Sequence, residues 1–189
     1  MRRTLLVLTV LLAANPLPAV TPWSTAAAAA LSEYQVKAVF LFNFARFVEW
    51  PSTAFPNATA PFVVGVFGHD PFGEDLDAAV KGETVNGRPL IVRRVHSAAE
   101  AGDCHILFIH QSEDQRLGEV LSALGNHSTL TVSDLPGPAQ RGVMIRLVTE
   151  QGHVRMRIDV DSARAAALTI SSNLLRSAQI VGSHTAGGG

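Results

Sequence analysis

Polar side chains that could carry chemistry follow three short apolar runs of the sequence. They are His69 and Asp70, His110 and Ser112, and Ser133 and Asp134. Because the carboxyl ends of parallel strands meet at one edge of a sheet, we expect these residues to line a shared crevice there. Two chemistries fit such an edge. One is binding of a small ligand by Asp70, His110 and Asp134, and the other is Ser–His–Asp hydrolysis built on Ser112.

Hydrolysis is the less favoured of the two. The chain has no G-x-S-x-G elbow, and helix capping is a sufficient role for both Ser112 and Asp70. The seven histidines show neither H-x-x-x-H nor H-E-x-x-H spacing, and His105 and His110 are five apart, so on one strand they point to opposite faces. We therefore expect no catalytic residues, no metal and no cofactor.

A second candidate surface is a β-hairpin over residues 143–160 that turns at Gln151-Gly152. Pairing about that turn places Thr149 against Val154, Leu147 against Met156 and Ile145 against Ile158. The other face then carries Arg146, directly opposite Arg157, together with Arg155. These arginines indicate either a solvated edge that resists aggregation or a docking patch for an acidic partner or small anion.

The third candidate surface is a helix predicted over residues 33–49, which Pro51 ends. At 100° per residue a polar stripe contains Gln35, Asn43, Arg46 and Glu49, and a broad apolar face contains Val36, Phe40, Leu41, Phe44, Phe47 and Val48. Val39 and Phe42 fall inside the polar stripe. This pattern predicts a partner or dimer interface at Val39, Phe42 and Arg46, with contact to the 55–61 loop as the alternative.

The elements that must position these residues alternate between strands and helices. Strands are expected at 62–67, 89–95, 104–109, 129–133, 143–150 and 153–160, and helices at 33–49, 70–82, 112–124 and 161–181, the last capped by Asp161. The alternation predicts the α/β class. We expect a single three-layer domain with a mostly parallel sheet, an antiparallel C-terminal hairpin and flanking helices.

The first 30 residues have the pattern of a signal peptide. Arg2 and Arg3 precede an apolar stretch of signal length, and small residues offer cleavage near Ala28–Ala30. An uncleaved anchor is the alternative. The mature protein is then one domain over 31–182 with a flexible tail over 183–189, no stable membrane span and periplasmic localisation.

Charge and cysteine content restrict the partners. Removal of the two signal-peptide arginines takes the net charge from -1 to -3, so nucleic acid is not an expected partner. The single cysteine, Cys104, excludes an internal disulfide and reads as a buried core residue, with an intermolecular bridge as the alternative.

Four blocks of the sequence resemble the YfiR family of small periplasmic proteins. They are Lys37–Pro51; Val64–Gly68 with Asp70–Gly73 and Asn86–Arg88; Cys104–Ile109 with Leu130–Asp134; and Gly142–Ile145 with Ile170–Leu175. The blocks are weak singly, but their order and spacing together are fairly specific, and the match covers essentially the whole mature chain.

The resemblance implies a regulator without catalysis of its own. The best-known member of the family binds the periplasmic part of an inner-membrane diguanylate cyclase, holds it inactive, and so controls cyclic-di-GMP and biofilm formation. The implied partner is that cyclase or another inner-membrane sensor, and the implied assembly is a homodimer. That member also carries disulfides, which the single cysteine of this chain cannot reproduce within one protomer.

Overall fold

The structure is a computed structural model that describes residues 23–125, 127–136 and 142–181, with side chains from residue 33 onward. Most of the predicted signal peptide and the predicted tail lie outside the described residues. Within the described ranges, no helix is both long enough and apolar enough to cross a membrane.

Strands and short helices alternate along most of the chain. The strands are β1 Val48–Glu49, β2 Phe62–Phe67, β3 Thr84–Val85, β4 Arg88–Val95, β5 Ile106–Ile109, β6 Leu130–Ser133, β7 Ile145–Glu150, β8 His153–Asp159, β9 Thr169–Ile170 and β10 Gln179–Val181. The α-helices are α1 Trp23–Phe47, α2 Glu74–Val80, α3 Ala98–Ala101, α4 Leu117–Leu124, α5 Val160–Ala165 and α6 Ser172–Arg176. Two 3-10 turns cover Ser52–Ala54 and Gln111–Arg116.

One eight-stranded sheet in the order β10-β8-β7-β6-β5-β2-β4-β3 forms the middle of the domain. The pairs β4/β2, β2/β5, β5/β6, β6/β7 and β8/β10 are parallel, and the hairpins β3/β4 and β7/β8 are antiparallel. The central strands are apolar throughout because helices cover both of their faces. The mostly parallel sheet with a C-terminal hairpin is therefore confirmed.

Two apolar cores separate the layers. On one face α1 and α2 bury Leu41, Phe44 and Leu76 against the sheet. On the other face α3 and α4 bury Ala101 and Val120. The predicted three-layer α/β class is confirmed.

The register of the β7/β8 hairpin is as predicted. Thr149 pairs with Val154, Leu147 with Met156 and Ile145 with Ile158. Gln151 and Gly152 make the turn with φ values of 51° and 76°, the left-handed conformation that a two-residue hairpin needs.

The opening helix differs from its predicted bounds at both ends. It begins at Trp23 rather than near residue 33, and it ends at Phe47. Val48 and Glu49 leave the helix because they pair antiparallel with Ile170 and Thr169 in β9. That pairing brings a distant segment to the end of α1, which the local pattern did not show.

The prediction of one helix over residues 161–181 is wrong. Asp159 rather than Asp161 caps α5, accepting a hydrogen bond from the Ser162 amide at 3.0 Å, and the chain then turns at Ala167 with φ 58°. The rest divides into β9, α6 and β10 because backbone pairing with β1 and β8 satisfies its amides and carbonyls. The helical spacing of small and apolar residues was real, but strand pairing overrode it.

Candidate functional site

The predicted crevice at the carboxyl edge of the sheet is filled by α1. Asp134, which follows β6, accepts hydrogen bonds from the Tyr34 hydroxyl at 2.7 Å, the Lys37 ammonium at 3.1 Å and the Gln111 amide at 3.0 Å. Tyr34 and Lys37 both belong to α1. These donors already satisfy the carboxylate, so the edge is closed around it rather than open to a ligand.

Lys37 is the centre of this contact and is only 2% exposed. Its ammonium lies 2.5 Å from the Glu33 carboxylate and 4.4 Å from the centroid of the Tyr34 ring. Burial opposes ionisation of Glu33, but the hydrogen bonds from Lys37 and Thr149 hold the pKa of that carboxyl below its ordinary value. We name the set Glu33, Tyr34, Lys37 and Asp134 the α1 clamp. A buried cation needs such partners, and here they fix α1 to the sheet.

His110 lies beside the α1 clamp but outside its hydrogen bonds. Its Nδ1 accepts from the Ser112 amide at 3.1 Å, so His110 caps the 3-10 turn and the predicted capping role of Ser112 is wrong. The ring is 5.3 Å from His69 and 6.4 Å from Tyr34, centroid to centroid. Burial lowers the pKa of His110, and the Asp134 charge opposes that shift. Because the carboxylate of Asp134 is engaged elsewhere, the described residues do not form a Ser–His–Asp relay.

Asp70 belongs to a separate network. Its carboxylate accepts from the Phe72 amide and from the Arg94 guanidinium, both at 2.8 Å. Arg94 also binds Asp77 and the Gly73 carbonyl. Asp70 therefore orders the loop before α2 instead of capping that helix, which begins at Glu74.

The exposed side of α1 is partly apolar. Val36 is 42% exposed, Val39 is 53% and Phe47 is 38%. We name these three residues the α1 strip. Val39 was predicted to lie there, but Val36 and Phe47 were predicted in the core, and that prediction is wrong. The buried side of the helix is instead the one that carries Lys37, whose partner Asp134 is distant in sequence.

The other two predicted helix residues lie at the margin of the α1 strip. Phe42 is half-buried and packs on the core, so it is less accessible than the prediction required. Arg46 is exposed and places its guanidinium 5.7 Å from the Phe42 ring centroid. An apolar patch with an arginine and a further aromatic ring beside it has the composition of an interface centre.

The hairpin arginines occupy a different face. Arg146 pairs directly with Arg157, as predicted, but Arg146 is 4% exposed and donates to the Leu135 carbonyl at 2.7 Å. It is therefore not part of a solvated docking surface. Arg157 pairs with Glu150 at 2.5 Å, and Arg155 is exposed. Strand alternation directs these side chains away from α1, so the two predicted interface groups do not form one patch.

Sequence reasoning missed a buried histidine at the amino edge of the sheet. The His105 ring packs against Phe55 at 4.4 Å and against Phe62 at 4.8 Å, centroid to centroid, and its Nδ1 accepts from the Val63 amide at 3.1 Å. Burial lowers the pKa of His105 to about 4. The sequence did contain a signal for this burial. The histidine lies within the apolar run 104–109, and aromatic residues that could pack on it occur earlier, in the 50–62 segment. In the described part of the chain, no group of three or more His, Cys, Asp or Glu residues could hold a metal ion.

The structure is a small α/β domain whose first helix is clamped to the sheet and carries three exposed apolar residues. Residues 34–179 match the family model described as YfiR/HmsC-like. The chain belongs to this family, as the resemblance in its sequence indicated. Comparison with individually curated proteins finds no match.

Proposed function

We propose that this protein is a periplasmic, non-catalytic regulator that binds and restrains a membrane signalling protein, specifically a diguanylate cyclase. Membership of the YfiR/HmsC-like family, whose members are known as periplasmic regulators, supports the regulatory role. The observation that carries the binding role is the α1 strip, an exposed apolar patch on a helix held in place by the α1 clamp.

The α1 clamp makes the α1 strip a suitable docking surface. Ordering of side chains and backbone on association reduces affinity, so a surface that is already rigid binds more tightly than a mobile one. Val39 is the most exposed member, and Arg46 beside it can pair with an acidic group at the rim of a partner. Arg155 and Arg157 lie on the opposite side of the sheet and would serve a second contact.

Export belongs to the same proposal. The signal peptide over residues 1–30, cleaved near Ala28–Ala30, delivers the domain to the compartment where family members act. Such cleavage shortens α1, which begins at Trp23, but retains Tyr34, Lys37 and the whole α1 strip.

The test combines gene deletion with complementation by surface variants. We expect deletion to raise cellular cyclic-di-GMP and surface attachment, because the restraint on the cyclase is lost. Val39→Asp should fail to restore the low level, since a charge would be buried at the centre of the interface. Its matched control is Ile91→Asp, a comparable apolar residue, 37% exposed, on β4. That variant should restore the low level fully.

Further measurements distinguish loss of partner binding from loss of folding, from a different target and from self-association. Val39→Asp should change the free energy of unfolding by no more than about 0.5 kcal/mol, as expected for an exposed position. Unchanged cyclic-di-GMP and attachment after deletion would exclude the cyclase as the target. Sedimentation velocity of both variants identifies the competing occupant of the α1 strip, a second copy of the chain, because only Val39→Asp would then dissociate a dimer.

A further inference from the structure

Two loops at the carboxyl edge of the sheet pack directly against each other. One follows β2 and contains Gly68 and His69, and the other is the 3-10 turn Gln111–Arg116 after β5. The His69 amide donates to the Ser112 hydroxyl at 3.5 Å. Gly68 has a φ of 89°, and the Glu113 side chain occupies the space that a Cβ at Gly68 would need. Only glycine fits there, so the two loops form a close junction.

A pair of histidines lies across this junction. The rings of His69 and His110 are 5.3 Å apart, centroid to centroid, with an angle of 63° between their planes. His69 is exposed, whereas His110 is only 8% exposed. The His110 Nδ1 accepts a hydrogen bond from the Ser112 amide at 3.1 Å, which requires a nitrogen without a proton. The closed junction therefore depends on a neutral His110.

Titratable and charged groups face His110 from every element packed against it. They are Tyr34 and Lys37 on α1, His69 after β2, Glu113 in the 3-10 turn and Asp134 after β6. Burial lowers the pKa of His110, and the charges of His69 and Lys37 act in the same direction. The carboxylates of Asp134 and Glu113 oppose that shift. The closed arrangement thus disfavours a charge on His110.

We propose that His69 and His110 form an acid-sensitive latch between the two loops, and that its opening loosens α1. Histidine is the side chain that changes its charge between pH 8 and pH 5. In acid, a proton on Nδ1 removes the acceptor of the Ser112 amide, and two imidazolium rings face each other across 5.3 Å and repel. A charged His110 also competes with Lys37 for Asp134, the residue through which the α1 clamp holds α1 to the sheet.

The direction of the pH effect follows from the lowered pKa of His110. When the loops separate, the ring meets water and its pKa returns toward the ordinary value of 6.5. The open form therefore binds more protons than the closed form. The closed form has its full advantage above pH 6.5 and loses it as the pH falls.

The latch also bears on the α1 strip. A loosened α1 presents that strip less rigidly and would bind a partner less tightly, because more ordering is needed on association. This consequence rests on the proposed function. The latch itself concerns the chain alone, so an experiment on the purified protein can contradict it without touching the proposed function.

The test is amide hydrogen exchange of the purified protein at pH 7.5 and pH 5.0, read by mass spectrometry and corrected for the intrinsic pH dependence of exchange. We expect acid to reduce the protection of residues 34–47, 68–73 and 111–116 at least about tenfold, which corresponds to one pKa unit between the closed and open forms. His153→Gln, at an exposed position on β8, is the matched control and should respond as the wild type does.

Two variants of the latch complete the test. His110→Asn keeps an acceptor for the Ser112 amide but cannot gain a proton, so its loss of protection in acid should be at least about threefold smaller than that of the wild type. His69→Gln removes only the second charge and should give an intermediate loss.

Three results would overturn the latch. The first is unchanged protection of residues 68–73 and 111–116 in acid, and the second is a wild-type response of His110→Asn. The third is a wild-type response of His69→Gln, an exposed position, which also decides the matter should His110→Asn not fold.

Discussion

The carboxyl edge and the amino edge of the central sheet differ in how the chain covers them. At the carboxyl edge, Asp134 and Lys37 are buried and each has several partners, all brought together by α1. At the amino edge, His105 is also buried, packed against Phe55 and Phe62, and a cavity of about 660 Å³ lies beside it. One edge is therefore closed by α1, and the other is open at a cavity.

This contrast reverses the usual expectation for parallel sheets. Ligands normally bind beyond the carboxyl ends of the strands, since loops diverge there. Here the helix that precedes the first sheet strand returns over that edge and inserts Tyr34 and Lys37 into it. The crevice becomes an anchor for α1, and the open space is found at the opposite edge.

The largest effect is expected from breaking the α1 clamp. Lys37→Met keeps the length of the side chain but removes the cation, leaving the Asp134 carboxylate, 3% exposed, without its charged partner. Loss of one member of a buried pair costs about 3–5 kcal/mol of unfolding free energy. Urea unfolding followed by circular dichroism measures the change.

The chain offers a matched control for that variant. Lys81→Met removes an exposed lysine just after α2 and should shift the unfolding free energy by less than about 0.5 kcal/mol. If both lysine variants are equally stable, the α1 clamp does not hold the helix on the sheet, and it does not close the carboxyl edge.

A slightly smaller loss of stability is expected when the pH is lowered, because His105 at the amino edge is buried in its neutral form. The pKa of His105 is about 4 in the folded protein, against 6.5 ordinarily. Between those values the unfolded chain binds more protons than the folded protein. Stability is therefore full above pH 6.5 and falls as the pH drops toward 4, by about 3 kcal/mol in total.

Two histidine variants separate the contribution of His105 to the pH dependence of stability from that of carboxylates, which titrate in the same range. His105→Gln should remove about 3 kcal/mol of the pH dependence between 6.5 and 4, whereas His153→Gln, at an exposed position in β8, should leave it unchanged. Equal pH profiles for wild type and His105→Gln would show that His105 is not held neutral by burial.

The smallest effect concerns a single hydrogen bond of the α1 clamp. Tyr34→Phe keeps the ring, including its edge contact with Phe72 at 5.6 Å, and removes the hydroxyl that donates to Asp134. A hydrogen bond to a charged group contributes about 1.5–3 kcal/mol, so we expect a loss of about 2 kcal/mol. A double-mutant cycle with Lys37→Met should show coupling between the two residues; additive losses would mean that they do not act as one unit.

Much of the architecture was predictable because it depends on local patterns. The six apolar residues of β2 were sufficient to place that strand, and the Gln151-Gly152 turn was sufficient to set the hairpin register. The face of α1 was not predictable in the same way. Its most buried polar residue, Lys37, is an unlikely core residue by type, and only the distant Asp134 makes its burial acceptable.

The candidate site was likewise predictable where it depends on local pattern and unpredictable where it depends on distant contacts. Sequence order brought His110 and Asp134 to one edge, as predicted, but their availability depended on a helix about 100 residues earlier in the chain. The C-terminal segment was misread for a similar reason, since its strands form only because β1 and β8 are there to pair with them.

The sequence by itself determined the family, the α/β class, the central strands of the sheet and the register of its hairpin, because alternation, turn residues and apolar runs act over a few neighbouring positions. Only the tertiary structure decided which side of α1 is buried, which edge of the sheet is closed and where a cavity remains. The first two outcomes depend on where a buried charge meets its partners, and Lys37 and Asp134 come from distant parts of the chain.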